Sequence, residues 1–189
     1  MIAKRLWWLS LSIIVVGGAL LIWHSLDPHS NLFDHQPSLK ETMKEIQDEL
    51  NSVGLVNYLL KFHNNATGED KPVLSKLEIS QVSADPRSCF LIYEQRTYQN
   101  TAHHDTGYVV ALKSVKKVDV IPIEQEVKNT GVLIDHPEFS VQSTPPVFVV
   151  ESIKAGTNDR NAFLFLSEER ANKMARALSR AVELCGGRK

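Results

Sequence analysis

An uncharged apolar run near the start of the chain constrains its fold more than any other feature. The run extends from Leu6 to Trp23, LWWLSLSIIVVGGALLIW, and follows Lys4 and Arg5. At about 1.5 Å rise per residue, a helix of 18 residues spans roughly 27 Å, close to the hydrocarbon thickness of a bilayer. Tryptophans lie near both ends, where indole rings favour the membrane interface. The sequence therefore predicts a transmembrane signal-anchor over residues 1–23, which contacts the membrane through residues 6–23.

The charges beside this run predict its orientation. Lys4 and Arg5 both precede it, and basic residues next to a span tend to stay in the cytoplasm. We therefore expect a single-pass protein with a cytoplasmic N-terminus and a periplasmic or extracellular domain. A cleaved signal peptide is the alternative, because Gly17 and Ala19 offer a small-x-small site, although apolar residues continue to Trp23. Both alternatives export the domain, and the lack of a cysteine directly after the run excludes a lipoprotein anchor.

Length and charge narrow the class of partner. The chain has 189 residues and a formal net charge of −1, which suits one domain plus an anchor. Without Lys4 and Arg5, the remainder carries 19 basic and 22 acidic residues, or −3. Nucleic-acid affinity rests on clustered Lys and Arg, so we expect no nucleic-acid partner. Two cysteines are too few for a cysteine-built zinc site, and we expect no metal or other cofactor.

Residues 24–37 are polar, contain Pro28 and Pro37, and are interpreted as a tether. An amphipathic helix is predicted over residues 38–54, where Ser38 and Glu41 match a capping box. Its apolar residues recur at spacings of four and three on one face: Leu39, Met43, Ile46, Leu50 and Val53. The helix would pack against the domain or bridge it to the membrane.

From Leu55 the apolar period changes to two, which is typical of half-buried strands. Breakers such as ADPRS, QNTAHHDT, KNTG and KAGTNDRN separate the strand-like runs. Residues 55–189 are therefore predicted to form a mostly β (α+β) domain, an antiparallel sandwich or barrel of seven or eight strands without intervening helices. Beyond the first strand around Val56–Phe62, the predicted strands are Val73–Val82, Cys89–Tyr98, Gly107–Leu112, Val118–Ile123, Val132–Asp135, Pro146–Lys154 and Ala162–Leu166.

A second amphipathic helix is predicted to close the chain. Ser167 is a suitable N-cap, and Gly186 and Gly187 suit a left-handed C-cap. Its apolar face comprises Ala171, Met174, Ala175, Leu178, Val182 and Cys185. Its basic side chains lie off that face and would be solvated or contact anionic headgroups: Arg170, Lys173, Arg176 and Arg180.

This order of elements resembles the pleckstrin-homology-like superfold. The segment YVVALKSVKKVDV resembles its strand-turn-strand, and FLFLSEERANKMARALSRAVELC resembles its last strand and closing helix, without the tryptophan often found in that helix. The chain is also similar to uncharacterised exported bacterial proteins that end in an A-L-x-x-A-V-E-L-C-G-G helix. The resemblance implies a lipid-binding, peptide-binding or scaffold function, and the fold alone does not distinguish these three.

No catalytic motif is present: G-x-S-x-G, H-E-x-x-H, P-loop and Rossmann patterns are all missing from the sequence. We therefore expect no catalytic or metal site, and a membrane-anchored extracytoplasmic binding or scaffold domain for an unknown protein or lipid partner. The alternative is an enzyme whose site is assembled from dispersed loop residues such as His103, His104 and Asp105. These three are expected in a loop, where adjacent side chains on an extended chain point opposite ways.

Cys89 and Cys185 are the only cysteines, and an exported domain would reach an oxidising compartment. We predict a disulfide between them that fastens the last helix to the β domain. The alternative is a pair of buried free thiols that behave as small apolar groups.

Overall fold

The first predicted amphipathic helix is present as α1, Leu39–Val53. The computed structural model describes residues 36–187, except 100, 101, 132, 134, 135, 157 and 158. Within these residues, no helix is long and apolar enough to cross a membrane. The predicted anchor over residues 1–23, and the tether up to residue 35, lie outside the described residues.

Local chemistry accounts for both ends of α1. The Ser38 backbone N–H donates to Glu41 Oε2 at 2.8 Å and the Glu41 N–H donates to Ser38 Oγ at 3.3 Å, so the predicted capping box is confirmed. Gly54 ends the helix with a φ of 65°, a left-handed value that glycine adopts without a steric penalty. Met43, Ile46 and Leu50 form the buried stripe of the helix.

Five strands form the larger antiparallel sheet. They are β1 (Leu55–Asn64), β2 (Asp70–Asp85), β3 (Phe90–Gln99), β4 (Ala102–Ala111) and β6 (Phe139–Thr144), in the spatial order β4-β3-β2-β1-β6. β1 alternates exposed and buried residues from Leu55 to Leu60, as its period of two predicts. α1 packs against this sheet. Gln47 Oε1 accepts a hydrogen bond at 3.0 Å from the backbone N–H of Ala84, on β2.

Three strands form the second antiparallel sheet, in the order β5-β7-β8. They are β5 (Val115–Pro122), β7 (Phe148–Lys154) and β8 (Arg160–Phe165). A 3₁₀ turn, Leu112–Ser114, leads from β4 into β5, and the helix α2 (Ile123–Asn129) follows β5. The central strand β7 is buried from Val149 to Ser152. Tyr93 of the first sheet packs on Phe163 of the second, with ring centroids 5.1 Å apart.

Over the described residues the domain is thus mostly β, with two antiparallel sheets and three α-helices, as the α+β prediction requires. The barrel alternative is wrong. Among the described residues the strands pair within two separate sheets, with β4 and β6 as the edges of one and β5 and β8 as the edges of the other. Closure would need those edges to pair.

Three local predictions are corrected by the structure. His103, His104 and Asp105 belong to β4 instead of a loop, because continuous pairing with β3 outweighs their polar composition. The strand predicted through Ile123 ends at Pro122, and Ile123 begins α2, so helices do intervene between strands. β6 was not predicted at all. The predicted strand Val132–Asp135 falls mostly outside the described residues, and Leu133 lies in a turn.

The closing helix is α3, Glu168–Leu184, and it packs with its buried stripe against α1 and the second sheet. The disulfide between Cys89 and Cys185 is confirmed, with Cα atoms 5.9 Å apart, inside the usual range of about 4.4–6.8 Å. It joins the end of α3 to the turn that precedes β3. At the same end, Gly186 adopts a φ of 80°, and the Gly187 N–H donates to the Val182 carbonyl at 2.8 Å, which is a Schellman C-cap.

Candidate binding surface

The outer face of the five-stranded sheet carries more large apolar side chains than a solvated sheet face usually does. Cross-strand partners share a face, so the pairs Leu59–Leu74 and Ile92–Val109 lie on the face opposite the buried residues of β1 and β3. Val109 is 64% exposed, and Ile92 is 46% exposed. Six of the exposed large apolar residues lie on this face: Leu55, Leu59, Leu74, Phe90, Ile92 and Val109.

The side chains of Phe90, Ile92 and Val109 form one cluster, which we call the apolar patch. Ile92 pairs directly with Val109 across β3 and β4, and Phe90 lies two residues from Ile92 on the same face. A contiguous apolar surface of this kind on a soluble domain marks an interaction site more often than a single exposed residue does. The patch ends at β4, the edge strand of the sheet.

Polar side chains occupy the same face beside the patch, and we call them the polar band: Glu78, Glu94, Arg96, Tyr98, His103 and Asp105. Arg96 holds Asp105 through two hydrogen bonds, Nε to Oδ1 at 2.7 Å and Nη2 to Oδ2 at 3.0 Å. Hydrogen bonding from Arg96 lowers the pKa of Asp105, and the same contact raises the pKa of Arg96. Tyr98 Oη donates to Glu78 at 2.8 Å. The cross-strand pairs therefore neutralise part of the band's charge.

The three residues of the enzyme hypothesis do not converge. His103 and Asp105 both lie on the outer face, with His103 Nε2 4.0 Å from Asp105 Oδ2. His104 pairs with Thr97 and lies on the opposite face, as alternation along an extended strand requires. No group of three or more potential metal ligands occurs among the described residues. His104 is therefore separated from His103 and Asp105 by the strand, and the three cannot form one catalytic site.

The free edge of β4 presents backbone hydrogen-bonding groups. The Leu112 N–H donates to the Cys89 carbonyl, and the β3–β4 register continues without a shift from there to Ala102. In an antiparallel ladder only alternate residues bond to the neighbouring strand. The other set therefore points its N–H and C=O groups away from β3, and we call its members the edge residues: His103, Asp105, Gly107, Val109 and Ala111. Within the described part of the chain, β3 is the only strand that pairs with β4.

A cluster of ionisable side chains lies beneath α2. Arg160 Nη1 on β8 is 2.8 Å from Glu151 Oε1 on β7 and 3.8 Å from Glu126 Oε2 on α2. Burial raises the pKa of Glu126, and the neighbouring carboxylate of Glu151 raises it further. The three residues are far apart in sequence, and no motif links them, so sequence reasoning missed the cluster. It lies apart from the outer face and holds α2 against the second sheet.

The basic side chains of α3 are partly neutralised. Arg170 Nε lies 2.6 Å from Glu49 Oε1 of α1, and Lys173 Nζ lies 3.5 Å from Glu45 Oε1. Arg180 lies 3.9 Å from Glu183. α1 therefore packs against the domain, one of its two predicted roles, and reduces the positive charge that anionic headgroups would meet.

Comparison of the chain with protein-family models, with curated proteins and with solved structures finds no match. The function must therefore be argued from the surfaces described above. Two of them coincide in space, because the free edge of β4 borders the apolar patch.

Proposed function

We propose that this chain is a membrane-anchored, extracytoplasmic binding domain that takes up an extended segment of a partner protein along the free edge of β4. The observation that carries the proposal is the position of the edge residues beside the apolar patch. An added strand would satisfy the outward backbone groups of β4 and cover Val109 at the same time. Backbone pairing would supply affinity, and the side chains of the outer face would supply specificity.

Within the described part of the chain, β4 has none of the features with which proteins usually protect an edge strand. Such features are short length, lysine or proline on the edge, bulges, and a covering helix. β4 spans Ala102–Ala111, contains no lysine or proline, and pairs with β3 without a bulge. Its single carboxylate, Asp105, is bonded to Arg96.

The other three edges differ from β4. β6 and β8 have six residues each. β5 carries a register shift between Val115 and Lys117 and ends at Pro122. Because only β4 combines length, regularity and apolar neighbours, it is the edge that we assign to binding.

Export is supported by the disulfide. Paired cysteines persist as disulfides in oxidising compartments, which agrees with the predicted export signal over residues 1–23. A protein partner is favoured over a lipid partner, because ion pairs with α1 and within α3 reduce the charge of the basic helix face. The two sheets and the closing helix α3 are compatible with the pleckstrin-homology-like resemblance, which stays part of this proposal.

An enzyme is the second candidate. In its favour, the Glu126–Glu151–Arg160 cluster contains a carboxyl group with a raised pKa, a property shared by many catalytic acids. Against it, the residues first considered, His103, His104 and Asp105, face both sides of a strand. A groove of about 460 Å³ on the five-stranded sheet is lined by apolar, hydroxyl and lysine side chains and by no carboxylate. Binding therefore agrees better with the geometry.

Site-specific photo-crosslinking tests the proposal in cells that make the chain naturally. A photo-reactive amino acid replaces Val109 in the full chain, and the control places it at Leu166, which is 49% exposed and remote from β4 in sequence. We expect a crosslinked product of defined mass from position 109 and none from position 166.

A second pair of variants shows whether the product depends on strand pairing. Asp105→Pro removes an outward N–H from the edge, whereas Asp105→Asn keeps that N–H and removes the charge. We expect loss of the product with proline and its retention with asparagine. Equal products from positions 109 and 166, or a product that survives Asp105→Pro, would contradict strand addition.

A further inference from the structure

A groove opens on the inner face of the five-stranded sheet, which is the face that carries the buried residues of β1. Leu60 and Phe62 of β1 pair with Val73 and Lys71 of β2, so all four side chains share this face. Leu60 is buried, whereas Val73 is 39% exposed and Lys71 is also exposed. At this end, the described part of the domain therefore leaves the inner face accessible to solvent.

The groove is mainly apolar and has a volume of about 340 Å³. Phe139 of β6 forms one wall, and its ring meets the His136 ring edge-on, with centroids 6.0 Å apart. The His136 N–H donates to the Leu133 carbonyl at 3.2 Å, which closes the turn that carries both residues. Because a water molecule occupies about 30 Å³, the groove has room for roughly eleven heavy atoms. Its lining comprises Phe62, Lys71, Val73, Leu133, His136 and Phe139.

The lysine in this lining is a cation without an anionic partner. Among the described residues, no carboxylate forms an ion pair with Lys71. Asp70, next to it in the chain, lies 2.6 Å from Lys61 Nζ. Glu138 Oε1, near the groove, lies 3.3 Å from His136 Nδ1. The groove thus combines apolar walls with one positive charge that is available to a ligand.

A second groove adjoins the first on the same face. Val73 lines both, and the second groove, of about 460 Å³, is also lined by Tyr58, Ser75 and Thr97. From Phe139 on β6 to Thr97 on β3 the two grooves cross three strand spacings, about 14 Å in total. An extended hydrocarbon chain can follow such a course, whereas a compact ring system would fill only one of the two grooves.

We propose that these grooves form a binding site for a fatty acid, whose acyl chain lies against Phe62, Val73 and Phe139 and whose carboxylate pairs with Lys71. The site is separate from the edge of β4, so the inference does not rest on the proposed strand addition. Ligand sites are typically apolar with a few polar groups that fix the orientation of the ligand, and Lys71 supplies such a group. The predicted anchor would also keep the domain at a bilayer, into which fatty acids partition.

Photo-labelling of the full chain in nanodiscs of uncharged lipid tests the inference. The probe is decanoic acid with a photo-reactive diazirine near the end of its chain, and labelled residues are identified by peptide mass spectrometry. We expect label on residues of the groove and loss of that label in excess decanoate. Label only elsewhere, or groove label that excess decanoate does not reduce, would overturn the proposal.

Decanol and two lysine variants test the role of the charge. Decanol has the chain length of decanoate without the carboxylate, so we expect it to compete about fivefold more weakly, the size of one exposed ion pair. Lys71→Gln should abolish this difference, whereas Lys116→Gln, the same change on β5, should preserve it. Both lysines are exposed, so both variants should fold like the wild type. Equal competition by decanoate and decanol in the wild type would overturn the pairing of a carboxylate with Lys71.

A photo-reactive amino acid in place of Val73 identifies the occupant in cells that make the chain naturally. We expect a crosslinked product whose added mass is that of one fatty acid. A product enlarged by the mass of a protein would overturn the proposal, because the groove would then hold a segment of another chain.

Discussion

At the scale of single residues, Glu126 shows how burial and charge make stability depend on pH. Its carboxyl group lies near Arg160, which also pairs with Glu151, and burial, followed by repulsion from Glu151, raises its pKa in the folded state. The folded chain therefore holds this proton more tightly than the unfolded chain does. The resulting stabilisation is complete below the unfolded pKa and is lost as pH rises through the folded pKa.

Glu126→Gln should accordingly stabilise the protein at pH 7 by about 0.5–1 kcal/mol, because the amide imitates the protonated carboxyl and removes the repulsion. At pH 4, where most of the Glu126 carboxyl is already protonated, the two proteins should differ little. Urea unfolding at both pH values measures this, with the exposed Glu69→Gln as control. If Glu126→Gln is instead less stable than wild type at pH 7 and equal to it at pH 4, the attraction between Glu126 and Arg160 outweighs the repulsion from Glu151.

At the scale of elements, the C-terminus of α3 depends on a close approach at Gly187. A Cβ atom there would lie 2.7 Å from Val182 Cγ1 and 3.0 Å from the Leu112 carbonyl oxygen. Val182 is β-branched and buried, and the contact atom of Leu112 belongs to the backbone, so neither group can move away easily. The disulfide of Cys185 fixes the same end of the helix.

Gly187→Ala should therefore destabilise the domain by about 1–3 kcal/mol, the usual cost of overpacking. Gly107→Ala is the matched control, because its Cβ atom would meet open space. We expect it to leave the free energy of unfolding unchanged or to raise it by up to about 1 kcal/mol. Urea unfolding with the disulfide intact compares the two. An effect of Gly187→Ala no larger than that of Gly107→Ala would show that the helix end can move.

The elements that the sequence predicted well are those determined locally. α1 and α3 have capping side chains and several turns of apolar periodicity, so their bounds follow from neighbouring residues. α2 has only seven residues and follows a strand-like run, and β6 has one buried residue, Val141. Their conformations depend on non-local pairing and packing. The same reason explains why the polar residues His103–Asp105 were interpreted as a loop: their strand is defined by the partner β3.

The candidate surface was accessible to sequence reasoning only in part. The disulfide followed from cysteine number and the export signal, and the structure confirms it. The apolar patch joins residues of β3 and β4 whose register is visible only in the folded sheet. The sequence likewise does not show which strands lie at the edges of a sheet, so the contrast between the long, regular β4 and the short or irregular β5, β6 and β8 appears only in the structure.

At the scale of the whole molecule, the proposed binding domain is held at the membrane by the predicted anchor, which lies outside the described residues. Deletion of residues 1–24 should release a soluble, folded domain, because the apolar run is confined to that segment and the described residues from Pro37 onward form one compact unit with its own core. Fractionation of cells that make the full or the truncated chain measures this. Full-length protein at its uncut mass in the soluble fraction would contradict the anchor.

Labelling of single introduced cysteines by a membrane-impermeant maleimide measures directly whether the edge of β4 is occupied in cells. Val109→Cys and the control Leu166→Cys are compared in cells whose outer envelope is opened and whose inner membrane is intact. We expect rapid labelling at position 166. Position 109 should label slowly in these cells and rapidly in the purified chain or when combined with Asp105→Pro. Equal, rapid labelling of both positions in cells would contradict occupancy of the β4 edge, and labelling of position 166 only after lysis would contradict the extracytoplasmic location.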